Sequence, residues 1–131
     1  MASGTVRGIL RAMEASGVRR FVAVSAEPVG PVPDGESFVN RRLLLPFISA
    51  VLRDTYADLA RMEDEIRRSA TDWTVLRPPK LVNKPLTGTY RTRVGGNVPR
   101  GYSIARADVA DLMLAVLDDP ATIRQPVGIA Y

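Results

Sequence analysis

At 131 residues the chain fits one domain with a real core, and 46% apolar with 24% charged residues is the composition of an ordinary soluble globular protein. It has no cysteine and no histidine, which excludes disulfides, zinc clusters, thiol nucleophiles and histidine acid–base catalysis. The net charge of +4 comes from 18 basic residues, sixteen of them arginine, scattered from Arg7 to Arg124 with few aromatics between them, which argues against a nucleic-acid partner.

The spacing of Val6, Ile9, Leu10 and Met13 predicts a helix over residues 5–16, with Ser3 as its cap and Gly17 as its stop. Arg20-Phe21-Val22-Ala23-Val24-Ser25-Ala26 reads as a strand buried on both faces of a parallel sheet. Glu27 to Gly35, with three prolines and two glycines, is a loop. Residues 36–69 are mostly helical, kinked or divided at Pro46. The second half of that stretch places Tyr56, Leu59, Met62 and Ile66 on an apolar stripe. Glu63 and Arg67 stand in the order that favours an ion pair along a solvated face.

Trp73 to Leu76 is the next buried strand, stopped by Pro78-Pro79. Residues 81–100 read as loop with one extended piece, Tyr90 to Val94, and a turn at Gly95-Gly96-Asn97. Val109, Leu112, Met113 and Val116 predict a helix over 107–118, with Asp108 complementing its N-terminus, and Val127 to Tyr131 closes as a strand. The N-terminus carries no basic-then-apolar signal pattern. The longest apolar run, Leu43 to Leu52, falls short of the roughly 20 residues of a membrane span. A cytoplasmic protein with no membrane partner is expected.

This alternation is α/β, with Phe21–Ala26, Trp73–Leu76 and Val127–Ala130 expected as parallel neighbours in a single domain over 1–131. The first element is a helix with no strand before it. The expected fold is therefore α/β, entered in the middle of a parallel sheet.

Two segments are similar to a known family. Gly17-Val18-Arg19-Arg20-Phe21-Val22-Ala23-Val24-Ser25 resembles a strand of the atypical short-chain dehydrogenase/reductases. Glu63-Asp64-Glu65-Ile66-Arg67-Arg68-Ser69, followed by Asp72-Trp73-Thr74-Val75-Leu76-Arg77-Pro78, resembles their helix-and-strand signature. Pro78-Pro79-Lys80-Leu81, Pro85-Leu86-Thr87-Gly88-Thr89-Tyr90 and Ile104-Ala105-Arg106-Ala107-Asp108-Val109-Ala110 are similar to the flavin reductase (biliverdin-IXβ reductase) branch of the NAD(P)H-binding, NmrA-like relatives.

The resemblance implies a Rossmann-like fold, with this chain the C-terminal part of a doubly wound parallel sheet, and NADP or NAD as cofactor, with Ser25 and Ala26 facing the nicotinamide and a small-molecule hydride acceptor. It implies backbone contacts to carboxamide and ribose from Leu76, Arg77, Pro78, Pro79 and Lys80. Lys80 and Arg61 are the side chains expected to approach the acceptor, and Thr87, Gly88 and Tyr90 sit in the insertion that covers the substrate side. Two departures qualify it. The G-x-x-G-x-x-G turn that meets the pyrophosphate is absent, so the chain by itself is expected to bind NADPH poorly or not at all. Tyr56 is followed four residues later by Ala60, so a Tyr-x-x-x-Lys proton relay cannot operate.

The implied activity is hydride transfer from NAD(P)H to a flavin-like or other conjugated acceptor, protonated from solvent. The alternative is a non-catalytic NAD(P)-sensing or protein-interaction module, which fits loss of the relay equally well. An open edge on Phe21–Ala26, with apolar Leu43-Leu44-Leu45 and Phe47-Ile48 nearby in sequence, leads us to expect a homo-oligomer.

Overall fold

The computed structural model describes residues 1–27 and 53–131. The break at Pro46, the apolar runs around Leu43 to Ile48 and most of the loop after Glu27 lie outside the described residues.

Helix α1, Ala2–Ser16, buries Val6 and Met13 and ends at Gly17, whose φ of 78° is the left-handed conformation glycine adopts without strain. The Gly17 N–H closes on the Met13 carbonyl at 2.9 Å. Ser3 is not the cap. It lies inside the helix, buried, and donates its hydroxyl to Asp58 Oδ1 at 2.6 Å, while the Ala2 N–H reaches Oδ2 at 2.6 Å. The first turn is thus capped from another helix, by a carboxylate placed at the positive end of the dipole.

Strand β1 is Arg20–Val24, helix α2 Arg53–Arg68 and strand β2 Asp72–Arg77. Short strands β3, Lys80–Val82, and β5, Ser103–Ala105, flank β4, Arg91–Val94, in sequence. Helix α3, Arg106–Val116, leads through a 3-10 turn at Pro120–Thr122 to β6, Gln125–Ala130.

The main sheet has the order β1-β2-β6-β4. β1 runs parallel to β2 with Phe21 opposite Trp73, and β2 runs parallel to β6 with Leu76 opposite Val127. The three strands expected as parallel neighbours are neighbours. The extended piece at 91–94 joins them as an antiparallel edge, Thr92 opposite Ile129. The pairing of β3 with β5 is a second, two-stranded parallel sheet that the sequence pattern does not disclose, because three residues are too few to show a period.

Alternation along the strands divides the core between two faces. Trp73 and Val75, with Phe21 and Ala23, pack on Val6, Met62 and Ile66 of α1 and α2. Leu76, Val127 and Ile129, with Val22 and Val24, pack on Val109, Leu112 and Val116 of α3. The result is helices on both faces of a mostly parallel sheet. Gly128 is required where β6 passes under the 95–98 turn. A Cβ there would stand 2.5 Å from the Gly96 carbonyl and 2.8 Å from the Asn97 Cα.

Candidate functional site

In open α/β sheets ligands bind outside the carboxyl ends of the strands. Here that edge is formed by the residues leaving β1 and β2, and their pairing continues past both strands. The Ser25 N–H donates to the Leu76 carbonyl at 2.8 Å and the Glu27 N–H to the Pro78 carbonyl at 2.9 Å. Ser25, Ala26, Arg77, Pro78 and Pro79 therefore stand together, as the sequence implies. A third segment joins them. Asn97, buried in the turn after β4, donates its Nδ2 to the Glu27 carbonyl at 2.9 Å. The turn itself is legible in Gly95-Gly96-Asn97, but its return to the end of β1 depends on β4 pairing with β6, which no local signal gives.

Beneath the edge lies a buried polar group of three. The Glu63 carboxylate receives the Ser25 hydroxyl on Oε2 at 3.1 Å. Its Oε1 receives Arg77 Nε at 3.0 Å and Nη2 at 2.7 Å. Ser25, Glu63 and Arg77 are 7%, 2% and 6% exposed, so the ion pair is sealed from water. This corrects the reading of Glu63 as half of a surface pair with Arg67. Arg67 pairs with Asp64 at 2.5 Å on the exposed side of α2. The missed signal is positional. Glu63 falls four residues after Leu59 and three before Ile66, within the apolar stripe, and a carboxylate there is buried and needs a cation.

The remaining candidates separate into two groups. Lys80 is exposed at the start of β3, directly after Pro79, and stays beside the edge. Arg61 is also exposed, and its contact is with Asp58, 3.7 Å away, at the α1 cap rather than with Ser25. In the insertion, Asp108 is wholly buried and accepts from the Thr87 N–H at 3.0 Å, the Gly88 N–H at 2.9 Å, the Thr87 hydroxyl at 2.8 Å and the Tyr131 hydroxyl. Burial pushes the Asp108 carboxyl up, but the bonds from Tyr131, Gly88 and Thr87 outweigh it and hold the group below the usual carboxylate range. Tyr90 donates its hydroxyl to Asp111 at 2.7 Å. Burial and that carboxylate push the phenol up to about 12, so it stays protonated at neutral pH.

A cavity of about 630 Å³ opens at the opposite end of the sheet, between the carboxyl ends of α1 and α2, lined by Arg11, Met13, Gly17, Arg19, Arg68 and Thr71 among others. It lies at the amino-terminal end of the strands, away from the carboxyl edge where the candidate residues meet.

Backbone donors at the carboxyl edge are few. Pro78 and Pro79 carry no N–H, and the N–H groups of Ser25 and Glu27 are engaged in the ladder. Pro78 is buried and Pro79 half-buried at this edge, and Lys80 beyond them is exposed. The sequence contains no G-x-x-G-x-x-G turn of the kind whose backbone N–H groups meet a pyrophosphate.

Known proteins bear on this geometry. The sequence profile of a family described as NAD(P)H-binding matches residues 2–120. The chain is 28% identical over 124 residues to UPF0659 protein YMR090W of Saccharomyces cerevisiae, covering 92% of this chain and 50% of that protein. It superposes on a short-chain dehydrogenase/reductase from Veillonella parvula, solved in complex with NADP, with a TM-score of 0.81 at 20% identity over 98% of this chain and 58% of that one. It also superposes on the anaerobillin reductase ChuY of Escherichia coli O157:H7, with a TM-score of 0.73 at 21% identity over 98% and 58%. The chain thus spans about half the length of the relatives it matches.

Proposed function

This chain belongs to the NAD(P)H-binding family, and from that premise we propose that it serves an NAD(P)H-dependent oxidoreductase of flavin reductase type. The bound dihydronicotinamide would supply the hydride to a flavin-like or other conjugated acceptor. The protein's own residues orient and exclude water. The Pro78–Pro79 path and Ser25 would hold the nicotinamide ring and its carboxamide at the carboxyl edge, and Lys80, exposed beside them, would attract an anionic acceptor.

One observation carries the reading: the implied nicotinamide contacts from two strands converge, through the Ser25–Leu76 and Glu27–Pro78 backbone bonds, on one edge of a sheet of the right kind. At this edge the Ser25 hydroxyl is turned to Glu63, and in the insertion the Tyr90 hydroxyl is turned to Asp111, so neither hydroxyl is free to protonate the acceptor. That favours an acceptor which takes its proton from solvent, as a flavin does, over a simple ketone.

The test is oxidation of NADPH by FMN or lumiflavin, followed at the dihydronicotinamide absorbance with NADPH carried to millimolar concentration. Flavin-dependent oxidation above the protein-free rate is expected. A rate equal to the protein-free control at every NADPH concentration rejects the assignment. NADPH binding without turnover would instead favour a cofactor-sensing module.

A further inference from the structure

Ser25 has only one proton to give, and the structure fixes where it goes. A hydroxyl carries one donor and two acceptor lone pairs. Its neighbour Glu63 faces the permanent cation of Arg77 on Oε1 and stands as a carboxylate, which only accepts. The 3.1 Å contact between Ser25 Oγ and Glu63 Oε2 is therefore an O–H donated inward. All three groups are buried, so water does not compete to turn the hydroxyl round.

We infer that Ser25 meets its ligand as a hydrogen-bond acceptor only, with Glu63 and Arg77 as the positioning pair that sets this polarity. The group it recognises is then an N–H donor of amide type. This rests on the nicotinamide-and-flavin reading above, which offers two sources for such a donor: the carboxamide of the nicotinamide and the N3–H imide of a flavin acceptor. It also assigns Ser25 a role opposite to that of a serine that polarises a carbonyl by donating to it.

The polarity is reversible by one isosteric change. In Glu63→Gln the amide oxygen must remain on Arg77, which has nothing but donors. The amide nitrogen then falls where Oε2 stood and donates to Ser25 Oγ, and the Ser25 O–H is released outward. A side chain that merely supported the fold would weaken all ligands together. A polarity-setting one changes which ligand is preferred.

The experiment is a calorimetric or ligand-observed NMR titration of the full chain with two matched pairs. NADPH is compared with its 3-acetylpyridine analogue, which keeps the carbonyl and lacks the N–H, and lumiflavin with 3-methyllumiflavin. The wild-type chain is expected to favour the N–H-bearing member of one pair by about tenfold, the worth of one well-made hydrogen bond, and the pair that responds identifies the source. Ser25→Ala and Glu63→Gln are each expected to bring that preference within about twofold of unity. Ser25→Ala leaves the ion pair intact and decides the matter if Glu63→Gln does not fold. Binding of both pairs without preference by the wild type overturns the inference and leaves the reductase reading standing, as does a preference that survives Ser25→Ala. Failure of NADPH and lumiflavin alike to bind overturns the reading and the inference together.

Discussion

Glu63 and Arg77 carry opposite charges into a place that water does not reach, and each is tolerable only because of the other. Removing one partner leaves an uncompensated charge at the sheet edge. Glu63→Ala is expected to destabilise the protein by about 3–5 kcal/mol, measured by urea unfolding. Replacing both, as Glu63→Leu with Arg77→Met, removes the desolvation cost along with the attraction and should lose far less. A single substitution as mild as the double would show that the pair is hydrated in solution. Sequence reasoning paired Glu63 with Arg67 because helix spacing compares only neighbours on one helix. Its true partner is 14 residues away on a strand, and the register that brings it there, Arg77 opposite Gly128, is a property of the whole sheet. Ser25 was legible because it ends an apolar run at a sheet edge. The direction of its hydroxyl was not.

Elements of this fold are tied at their ends by single side chains. Arg20, the first residue of β1, donates to the Asp72 carbonyl at 2.7 Å and to the Val116 carbonyl at 2.6 Å, so it caps the C-terminus of α3 while joining β1 to β2. Asp108 does the corresponding work for the insertion, holding the 87–88 backbone against the first turn of α3. Its folded value is depressed, so the native state holds fewer protons than the unfolded chain between the two values. The stability it contributes is full above the ordinary carboxylate range, about 3.9, and is lost as pH falls through the lower folded value. At neutral pH the Thr87 and Gly88 amides are expected to exchange slowly with deuterium. In Asp108→Ala the Thr87 and Gly88 N–H groups lose the acceptor they share, Oδ1, and both should exchange faster, with a lower Tm. Unchanged protection in that variant would mean that the insertion is held by other contacts. The long helices and three core strands were readable from period and punctuation. The insertion was not, since its order comes from a carboxylate 21 residues downstream of Thr87.

The two edges of the main sheet differ in a way that bears on assembly. β4 closes one side with Arg91, Thr92, Arg93 and Val94, all exposed, and a charged, short edge discourages further pairing. β1 closes the other with Phe21, Val22, Ala23 and Val24, all half-buried, and among the described residues no strand lies beyond it. Backbone groups alternate sides along a strand. Arg19 and Ser25 direct theirs to β2, as the Asp72–Arg19 and Ser25–Leu76 bonds record, so Val22 and Val24 present their N–H and C=O groups to the open side. An apolar edge that no strand among the described residues covers is a template for another strand, and a second copy of this chain offers an identical one. Self-association is therefore expected, with a weight-average mass that rises with concentration in light scattering. Val22→Pro removes an outward donor without touching the bonds to β2, because proline is tolerated on a strand edge whose N–H faces away from the sheet. It should shift the equilibrium toward monomer while the far-ultraviolet circular dichroism stays native. A wild-type chain that remains monomeric at high concentration rules out pairing through this edge, and a Val22→Pro chain that associates as the wild type does moves the contact to another surface.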